Sequence, residues 1–344
     1  MMRLPRFGYR APRTVEEAAC ILAGEGSRAQ LIAGGTDLLP NMKRRQQVPT
    51  TLVSLRHIES LRKISNGGAG VALGATSTLS EIVRSPLIRE RYTALHQAAA
   101  QVATVHLRNS GTIGGNLCLD TRCLYYNQSY EWRKAIDFCL KKDGETCWVA
   151  TSSRRCIAVS STDTAPALIA LGAKVRLVSS LGEREVSLAD LYNNDGMDYL
   201  TRRADEVLTE VMLPSLPGWT STYWKLRRRG SFDFPELGVA AAVKRAPDGM
   251  VEEACVVLGA SASRPVVTRA AEFLCGRPLT DEVITEAAKA IARHAKPVDN
   301  TDLDVHWRKH IAATFISFAL KDLRGDDLSK VRLRMARQTL TAAV

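Results

Sequence analysis

Cysteine is the residue type whose spacing in this sequence most clearly suggests chemistry. Of the eight cysteines in the 344-residue chain, five lie between positions 118 and 156. In a reducing compartment, clustered thiols are more typical of metal or iron–sulfur ligands than of disulfides. Four of them follow the pattern Cys123-x15-Cys139-x7-Cys147-x8-Cys156, which matches neither zinc ribbons nor bacterial ferredoxins. The spacing therefore leaves a zinc site and a 4Fe-4S cluster both open.

The residues around these cysteines favour an iron–sulfur cluster. Hydrophobic periodicity is lost between Cys118 and Cys156, where aromatic side chains such as Tyr126, Trp132 and Trp148 alternate with lysine and arginine. Aromatic and apolar neighbours exclude water from a redox centre, and basic side chains offset the negative charge of a thiolate-bound cluster. The composition of this stretch thus favours a redox centre, while a structural zinc remains open.

Two glycine-rich turns are the second chemical feature. Residues 34–37 (Gly-Gly-Thr-Asp) directly follow a short apolar run, and residues 112–116 (Thr-Ile-Gly-Gly-Asn) form a similar turn further along the chain. Because glycine has no Cβ, successive backbone N–H groups of such turns can converge on a phosphate oxygen. The dinucleotide pattern G-x-G-x-x-G is absent. Two such turns in a basic chain favour one extended diphosphate ligand held between two lobes.

The overall composition predicts a folded, water-soluble protein of two or three domains. Hydrophobic residues make up 45% and charged residues 24%, which excludes a disordered, collagenous or low-complexity chain. The net charge of +11 indicates an anionic partner such as a phosphate, a nucleotide, a nucleic acid or an acidic protein. Because the sequence has neither a secretory apolar run nor a membrane-spanning stretch, we expect a cytoplasmic protein.

Local patterns predict the elements that position these residues. Residues 14–17 (Thr-Val-Glu-Glu) predict a capping box that opens a helix to about Leu22. A buried strand over 30–33 leads into the first glycine turn, and the prolines at 214–218 predict a domain boundary. Further strands are predicted at 51–55, 70–75, 174–178, 206–213, 223–228, 238–244 and 253–259, and further helices at 80–83, 90–102, 165–171, 265–274, 281–294 and 305–323.

The order of motifs along the chain resembles a known family. Residues 33–37 (Ala-Gly-Gly-Thr-Asp) and 112–116 are followed by 163–168 (Asp-Thr-Ala-Pro-Ala-Leu), by 206–208 (Glu-Val-Leu) and by Lys225 in a predicted strand. This series resembles the FAD-binding subunits of the molybdenum hydroxylase (xanthine dehydrogenase) family over nearly the whole chain. The resemblance implies that FAD is the diphosphate ligand.

The resemblance also implies the fold, which is of the α+β class. Residues 1–217 would form a two-lobed FAD-binding domain of the PCMH or vanillyl-alcohol oxidase type, with an iron–sulfur insertion at 119–160. We call residues 119–160 the cysteine segment. Residues 218–344 would form a small C-terminal domain like that of CO dehydrogenase flavoproteins, with a three-stranded sheet backed by helices.

Specific FAD contacts follow from the same resemblance. Both glycine turns would contact the pyrophosphate and the flavin, with Asp163 near the adenosine end, Leu208 near the rings and Lys225 near the ribityl or phosphate region. Taken without the family, Asp163 would cap a helix, Leu208 would pack in a core and Lys225 would lie exposed on a strand. The residues implied at the FAD site are Leu31, Ile32, Ala33, Gly34, Gly35, Thr36, Asp37, Leu38, Val102, Thr112, Ile113, Gly114, Gly115, Asn116, Asp163, Leu208 and Lys225.

Within this family, the cysteine segment resembles an insertion in the β subunits of 4-hydroxybenzoyl-CoA reductases. Most relatives have only a short link between Gly-Gly-Asn-Leu-Cys and Asp-x-x-Pro, whereas this chain inserts residues that include 120–123 (Asp-Thr-Arg-Cys) and 126–129 (Tyr-Asn-Gln-Ser). The resemblance implies FAD and a 4Fe-4S cluster, with Cys118 in the glycine turn and outside the ligand set. The implied cluster ligands are Cys123, Cys139, Cys147 and Cys156.

A subunit of this kind carries electrons and has no catalytic residue of its own. The resemblance implies a path from ferredoxin through 4Fe-4S and FAD to 2Fe-2S centres and molybdenum, where 4-hydroxybenzoyl-CoA is reduced to benzoyl-CoA. The implied partners are a molybdenum-cofactor large subunit and a 2Fe-2S small subunit in a dimer of heterotrimers, without nucleic acid or membrane. Iron–sulfur potentials extend to about −700 mV, so an additional cluster suits the reduction of an aromatic ring.

Two alternatives remain open from the sequence. In the first, the chain would be the FAD subunit of another molybdenum enzyme that acts on a different aromatic or heteroaromatic substrate. In the second, it would bind zinc through the cysteines and nucleic acid through its basic runs. Those runs are Lys43–Arg45 and Arg227–Arg229. No nucleic-acid recognition motif accompanies them, and such runs are more often solvated faces, so we expect the redox function.

Overall fold

Three β-sheets organise residues 3–67, 69–230 and 232–337, the part of the chain that the computed structural model describes. The elements of the first lobe are β1 (Gly8–Arg10), α1 (Val15–Glu25), β2 (Ala29–Ile32), α2 (Leu38–Lys43) and β3 (Thr51–Ser54). Its strands are parallel in the order β1-β3-β2. The carboxyl end of β2 therefore opens directly into the first glycine turn, the place where parallel sheets usually bind ligands.

The second lobe is an antiparallel sheet covered by helices. Its elements begin with β4 (Ile64–Gly67), β5 (Gly70–Gly74), α3 (Leu79–Arg84), α4 (Pro86–Arg91), α5 (Thr93–Ala100), α6 (Val105–Arg108) and α7 (Ile113–Leu117). After α8 (Tyr130–Ala135), which lies in the cysteine segment, come α9 (Thr164–Ala170), β6 (Lys174–Ser179), β7 (Gly182–Ser187) and β8 (Val207–Pro214). The strand order is β4-β5-β8-β6-β7. The apolar stripe of α1 packs against both lobes, because it contacts Val53 of β3 and Val207 of β8.

The C-terminal domain is an antiparallel sheet backed by helices. Its elements are β9 (Trp219–Leu226), β10 (Leu237–Arg245), β11 (Val251–Gly259), β12 (Val266–Val267), α10 (Ala271–Leu274), α11 (Asp281–Ala292), α12 (Val305–Arg324) and α13 (Ser329–Arg337). The strand order is β12-β11-β10-β9, so the two-residue β12 adds a fourth strand to the three that the sequence predicted. None of the helices in the described ranges is long and apolar enough to cross a bilayer.

Strand β10 is buried on both faces, which explains why its sequence is apolar without alternation. Val239 and Ala241 pack on the face covered by α11 and α12. Ala240 and Ala242 pack on the opposite face, in the same core as the second lobe. Because successive strand residues point to opposite faces, a strand between two cores needs an apolar residue at every position. The C-terminal sheet is thereby joined to the second lobe through a shared core.

The structure corrects two predicted helices. The helix predicted at 90–102 is two helices, broken at Tyr92, whose backbone leaves the helical region and whose buried hydroxyl donates to the Pro214 carbonyl at 2.9 Å. The helix predicted at 265–274 is confined to α10, because Val266 and Val267 pair with β11 as strand β12. In both places a contact with a distant strand overrides the local preference for helix.

The capping box is half formed. The Thr14 hydroxyl accepts the Glu17 N–H at 3.1 Å, as the sequence predicted. The Glu17 carboxylate, however, accepts the N–H of Arg13 at 2.9 Å instead of the N–H of Thr14. The helix still starts directly after Thr14, because the Thr14 hydroxyl satisfies the N–H of the third helical residue, Glu17.

The two glycine turns touch each other through their backbones. A Cβ placed on Gly34 would lie 1.9 Å from the carbonyl oxygen of Ser110, just before the second turn. Within the second turn, a Cβ on Gly114 would lie 2.8 Å from the Cβ of Ala75. Real Cβ atoms do not approach other atoms this closely, so both positions require glycine for steric reasons.

We predict that Gly34→Ala separates the two turns. The added methyl collides with backbone rather than with a movable side chain, so the variant should lose bound FAD and unfold at a lower temperature. The measurements are flavin absorbance per chain and thermal unfolding. Gly24→Ala is the matched control, because a Cβ at that helical position meets nothing within 4 Å and should stabilise the protein by about 1 kcal/mol. Normal FAD content in Gly34→Ala would contradict the prediction.

Candidate functional site

A cavity of about 420 Å³ lies between the two lobes, at the carboxyl end of β2. Its walls are the β2–α2 turn, the second glycine turn, the start of α9 and strand β9. All the residues that the sequence implied for FAD line this cavity except Ile113, whose side chain packs in the core of the second lobe. Leu208 does both, since it lines the cavity and belongs to that core.

The first glycine turn presents unused hydrogen-bond donors. The backbone N–H groups of Gly34, Gly35 and Thr36 donate to no residue in the described ranges. Gly35 has a φ of 69°, a left-handed conformation that glycine adopts without strain. Consecutive free N–H groups at a cavity wall form a nest that binds anions such as a pyrophosphate. Free donors at the cavity wall are what the predicted pyrophosphate contact requires, and that contact stays a prediction.

The second glycine turn organises the start of α9. The Thr112 hydroxyl accepts the N–H of Gly115 at 3.1 Å and so holds the turn in shape. The Asn116 side-chain oxygen accepts the hydroxyls of Thr162 at 2.8 Å and Thr164 at 2.6 Å. These bonds fix the chain on both sides of Asp163, which lies between the two threonines.

Asp163 forms a buried ion pair with Lys225. The Lys225 ammonium lies 2.9 Å from the Asp163 carboxylate, and both side chains are at most 4% exposed. The ammonium also donates to the Gln101 carbonyl at 3.0 Å, and the Tyr223 hydroxyl donates to Asp163 at 2.8 Å. Burial raises the pKa of Asp163 and lowers the pKa of Lys225, and each charge opposes the shift in the other. Asp163 therefore does not cap α9, and Lys225 is not an exposed strand residue.

Arg122 is a cavity residue that the sequence did not predict. Its guanidinium pairs with Asp37 of the first glycine turn, donates to the Asn41 side chain at 3.0 Å and lies 5.1 Å from the centre of the Phe234 ring. Burial raises the pKa of Asp37, and the Arg122 charge opposes that rise. Arg122 immediately precedes Cys123, so this ion pair connects the FAD cavity to the cysteine segment.

Other cavity residues were also missed. No local pattern marks them, because they come from loops that reach the cavity from distant parts of the sequence. Two signals were available in the sequence: Asp120 and Arg122 lie within the 120–123 motif, and Arg44 lies in the basic run at 43–45. The missed residues with charged or aromatic side chains are Arg44, Asp120, Arg122, Tyr199, Arg202, Phe232, Asp233 and Phe234.

The four predicted ligand cysteines lie together. All four are buried, and all four line one small cavity with aromatic and apolar neighbours that include Tyr126 and Trp148. Cys118 instead lines the FAD cavity. In the ranges that the structure describes, no three His, Cys, Asp or Glu side chains converge closely enough to hold a single metal ion.

Backbone N–H groups and burial define the chemistry of these thiols. The Ala158 N–H donates to the Cys156 sulfur at 3.4 Å, and Cys123 accepts from the N–H groups of Tyr125 and Tyr126. Burial raises the pKa of Cys123 to about 11 and the pKa of Cys156 to about 12. Thiols with such pKa values are inert nucleophiles at neutral pH, and a bound metal deprotonates them.

The loop before Cys139 has an unusual backbone. Asp137 and Phe138 have φ values of 60° and 59°, and Asp143 follows with 66°. Non-glycine residues adopt this left-handed conformation rarely and at an energetic cost, and they cluster at functional sites. The Trp148 indole N–H donates to the Phe138 carbonyl and helps to hold this loop in place.

Comparison with known proteins identifies the family of the chain. Residues 5–216 match the family model described as the FAD binding domain in molybdopterin dehydrogenase. The chain belongs to the FAD-binding subunits of the molybdenum hydroxylase family. Residues 221–323 of this subunit match the CO dehydrogenase flavoprotein C-terminal domain. Its mixed α and β architecture is that of the CO dehydrogenase medium chain.

Individual relatives of the subunit are similar over most of their length. It is 30% identical to the nicotinate dehydrogenase FAD-subunit of Eubacterium barkeri, over 81% of this chain and 82% of that protein. It is 33% identical to the aldehyde oxidoreductase FAD-binding subunit PaoB of Escherichia coli, over 77% and 85%. The solved carbon monoxide dehydrogenase of Hydrogenophaga pseudoflava superposes with a TM-score of 0.77 at 27% identity, over 94% of this chain and 98% of that one.

The cavity fits the FAD that the family implies. The free N–H groups of residues 34–36 suit the pyrophosphate, and apolar side chains of the lining such as Leu208 suit the flavin rings. FAD exchanges electrons singly or in pairs, which allows such a subunit to connect one-electron and two-electron centres. The protein supplies the binding, the orientation and the surrounding charges.

We predict that Asp163→Asn destabilises the subunit by about 3–5 kcal/mol, because it leaves the Lys225 ammonium buried without an opposite charge. FAD content should fall as well, since both residues line the cavity. Denaturant unfolding and flavin absorbance measure the two effects. In the control Glu272→Gln, an exposed ion pair with Arg269 is lost and stability should hardly change. Equal effects of the two substitutions would refute a special role for the buried pair.

Proposed function

We propose that this subunit binds a 4Fe-4S cluster through Cys123, Cys139, Cys147 and Cys156 in addition to FAD. The observation that carries the proposal is that these four thiols are buried around one cavity in the cysteine segment. A four-thiolate donor set is the usual ligand set of such clusters. The N–H groups that donate to two of the sulfurs are also typical, because hydrogen bonds to sulfur adjust the reduction potential.

The surroundings of the thiols favour a cluster over zinc. Four thiolates suit either a tetrahedral zinc or a 4Fe-4S cluster. Tyr126, Leu140 and Ala158 line the cavity with the cysteines and exclude water from it, and Lys141 at the same cavity would offset the negative charge of a cluster.

The same proposal assigns an electron-transfer role in 4-hydroxybenzoyl-CoA reduction. Electrons would enter from a ferredoxin, pass the cysteine segment and the FAD cavity, and leave to 2Fe-2S and molybdenum centres on partner subunits. Removing the phenolic hydroxyl from the aromatic thioester needs a stronger reductant than hydroxylation chemistry supplies. An additional cluster supports that direction, because iron–sulfur potentials reach about −700 mV.

The basic runs support a role other than nucleic-acid binding. Arg44 lines the FAD cavity, so this run contributes to the ligand site. In the second run, Arg228 pairs with Asp302 and Arg229 pairs with Asp233 at 2.6 Å. Ion pairs with neighbouring carboxylates reduce the positive charge available to a phosphate backbone.

A second candidate is the FAD subunit of a molybdenum enzyme with another substrate. The relatives support this candidate, because their names include nicotinate and carbon monoxide dehydrogenases and an aldehyde oxidoreductase. The two candidates separate in the assembled enzyme with its large and small subunits. Dye oxidation that depends on 4-hydroxybenzoyl-CoA supports the first, and dye reduction by nicotinate or an aldehyde supports the second.

The subunit purified without oxygen should show flavin absorption bands over a broad iron–sulfur shoulder. Iron analysis should give about four iron atoms per chain, as expected for one 4Fe-4S cluster. Zinc should be present only in traces. A yellow protein that contains FAD and stoichiometric zinc would contradict the cluster while leaving the family intact.

The variant Cys139→Ser should abolish the iron–sulfur shoulder and retain FAD, because the cysteine lines a cavity separate from the FAD cavity. The expected iron content is well below four per chain, and the flavin content should match that of the native protein. Cys275→Ser, a change in the C-terminal domain away from both cavities, is the control. If Cys139→Ser kept its full iron content, Cys139 would not be a ligand.

A further inference from the structure

A buried ion pair separates the two cavities. Asp120 and Tyr199 line the FAD cavity. Lys141 and Tyr126 line the cavity of the cysteines. The Lys141 ammonium lies 2.8 Å from the Asp120 carboxylate, and their side chains are only 7% and 5% exposed. One side of this pair therefore faces each proposed cofactor.

Both charges of the pair are fully satisfied. The Lys141 ammonium also donates to the Thr121 hydroxyl at 2.8 Å and to the Gly196 carbonyl, and it lies 4.8 Å from the Tyr126 ring centre. The other carboxylate oxygen of Asp120 accepts the Tyr126 hydroxyl at 2.8 Å and the Gln47 amide at 3.1 Å. On the FAD side, the Lys141 ammonium lies 5.4 Å from the centre of the Tyr199 ring. The orientation of the pair is thus fixed.

We propose that the Lys141–Asp120 pair brings the reduction potentials of the two centres closer together, with its positive end toward the cluster and its negative end toward the flavin. This inference rests on the cluster proposed above. An electron added to the cluster is stabilised by the nearer ammonium, which raises the potential of the cluster. An electron added to the flavin is disfavoured by the nearer carboxylate, which lowers the potential of the flavin.

Burial makes this effect large enough to measure. The interaction of two charges is several times stronger in a protein interior than in water, and salt screens buried charges weakly. A smaller gap between the potentials makes electron exchange between the centres reversible. The pair is also the shared wall of both sites, since Asp120 and Lys141 contact each other directly. It acts through fixed charge and contributes no ligand to either cofactor.

The test is a redox titration of the subunit, with the cluster followed by EPR and the flavin by absorbance. Lys141→Gln should lower the cluster potential more than the flavin potential, and Asp120→Asn should raise the flavin potential more than the cluster potential. Each change should increase the equilibrium constant for moving one electron from cluster to flavin by about tenfold. This corresponds to a change of about 59 mV in the difference between the two potentials. Lys141→Arg keeps the charge and should stay near the native value.

Lys142→Gln is the matched control. This neighbouring lysine pairs with Asp143 at 3.0 Å and lines neither cavity, so its loss should change the constant by less than about twofold. The double variant Lys141→Gln/Asp120→Asn leaves no unpaired buried charge, so it retains the test if a single variant folds poorly, and it should also widen the gap. The proposal would be overturned if the variants retain both cofactors and the difference between the cluster and flavin potentials is unchanged. A native protein without a cluster signal would instead refute the cluster.

Discussion

The FAD cavity depends on a backbone contact that is possible only because Gly34 has no side chain. The first glycine turn lies against the Ser110 carbonyl at a distance that no Cβ allows. This contact places the free N–H groups of residues 34–36 at the cavity wall and sets the position of Asp37, which follows them. A parallel sheet in one lobe and an antiparallel sheet in the other thus meet around one ligand site, because their connecting loops can approach so closely.

Two ion pairs then join the rest of the chain to this site: the Asp163–Lys225 pair is buried on both sides, and in the Asp37–Arg122 pair Asp37 remains 27% exposed. Asp37 binds Arg122 of the cysteine segment, and Asp163 binds Lys225 of the C-terminal domain. Burying charges is costly, and such pairs contribute little net stability compared with apolar packing. They fix the positions of the two side chains instead, because a charged group shielded from water is stable only in contact with an opposite charge. Each FAD motif therefore fixes the position of one neighbouring part of the protein.

The sequence predicts the parts of this arrangement that depend on local chemistry. The glycine turns, the strand that enters the first of them and the four cysteines follow from residue type and spacing, with the family resemblance assigning their ligands. Side-chain positions that are set by contacts between residues distant in the sequence do not follow from residue type and spacing. Tyr92 breaks a predicted helix because its hydroxyl reaches Pro214, and Arg122 enters the cavity because Asp37 and Asn41 bind it. No periodicity encodes either contact.

The cysteine segment shows how an irregular insertion can hold four thiols in place. Apart from α8, it has no helix or strand of its own in the described ranges, so its polar groups bind to its neighbours. Arg133 donates to the Arg44 carbonyl at 2.9 Å, and Asn300 donates to the Ile157 carbonyl at 2.7 Å and accepts the Leu124 N–H at 3.0 Å. These anchors come from the first lobe and from the C-terminal domain, on either side of the FAD cavity. A segment held in this way still shares the Asp120–Lys141 contact with the FAD cavity, and electron exchange between FAD and the proposed cluster would require that proximity.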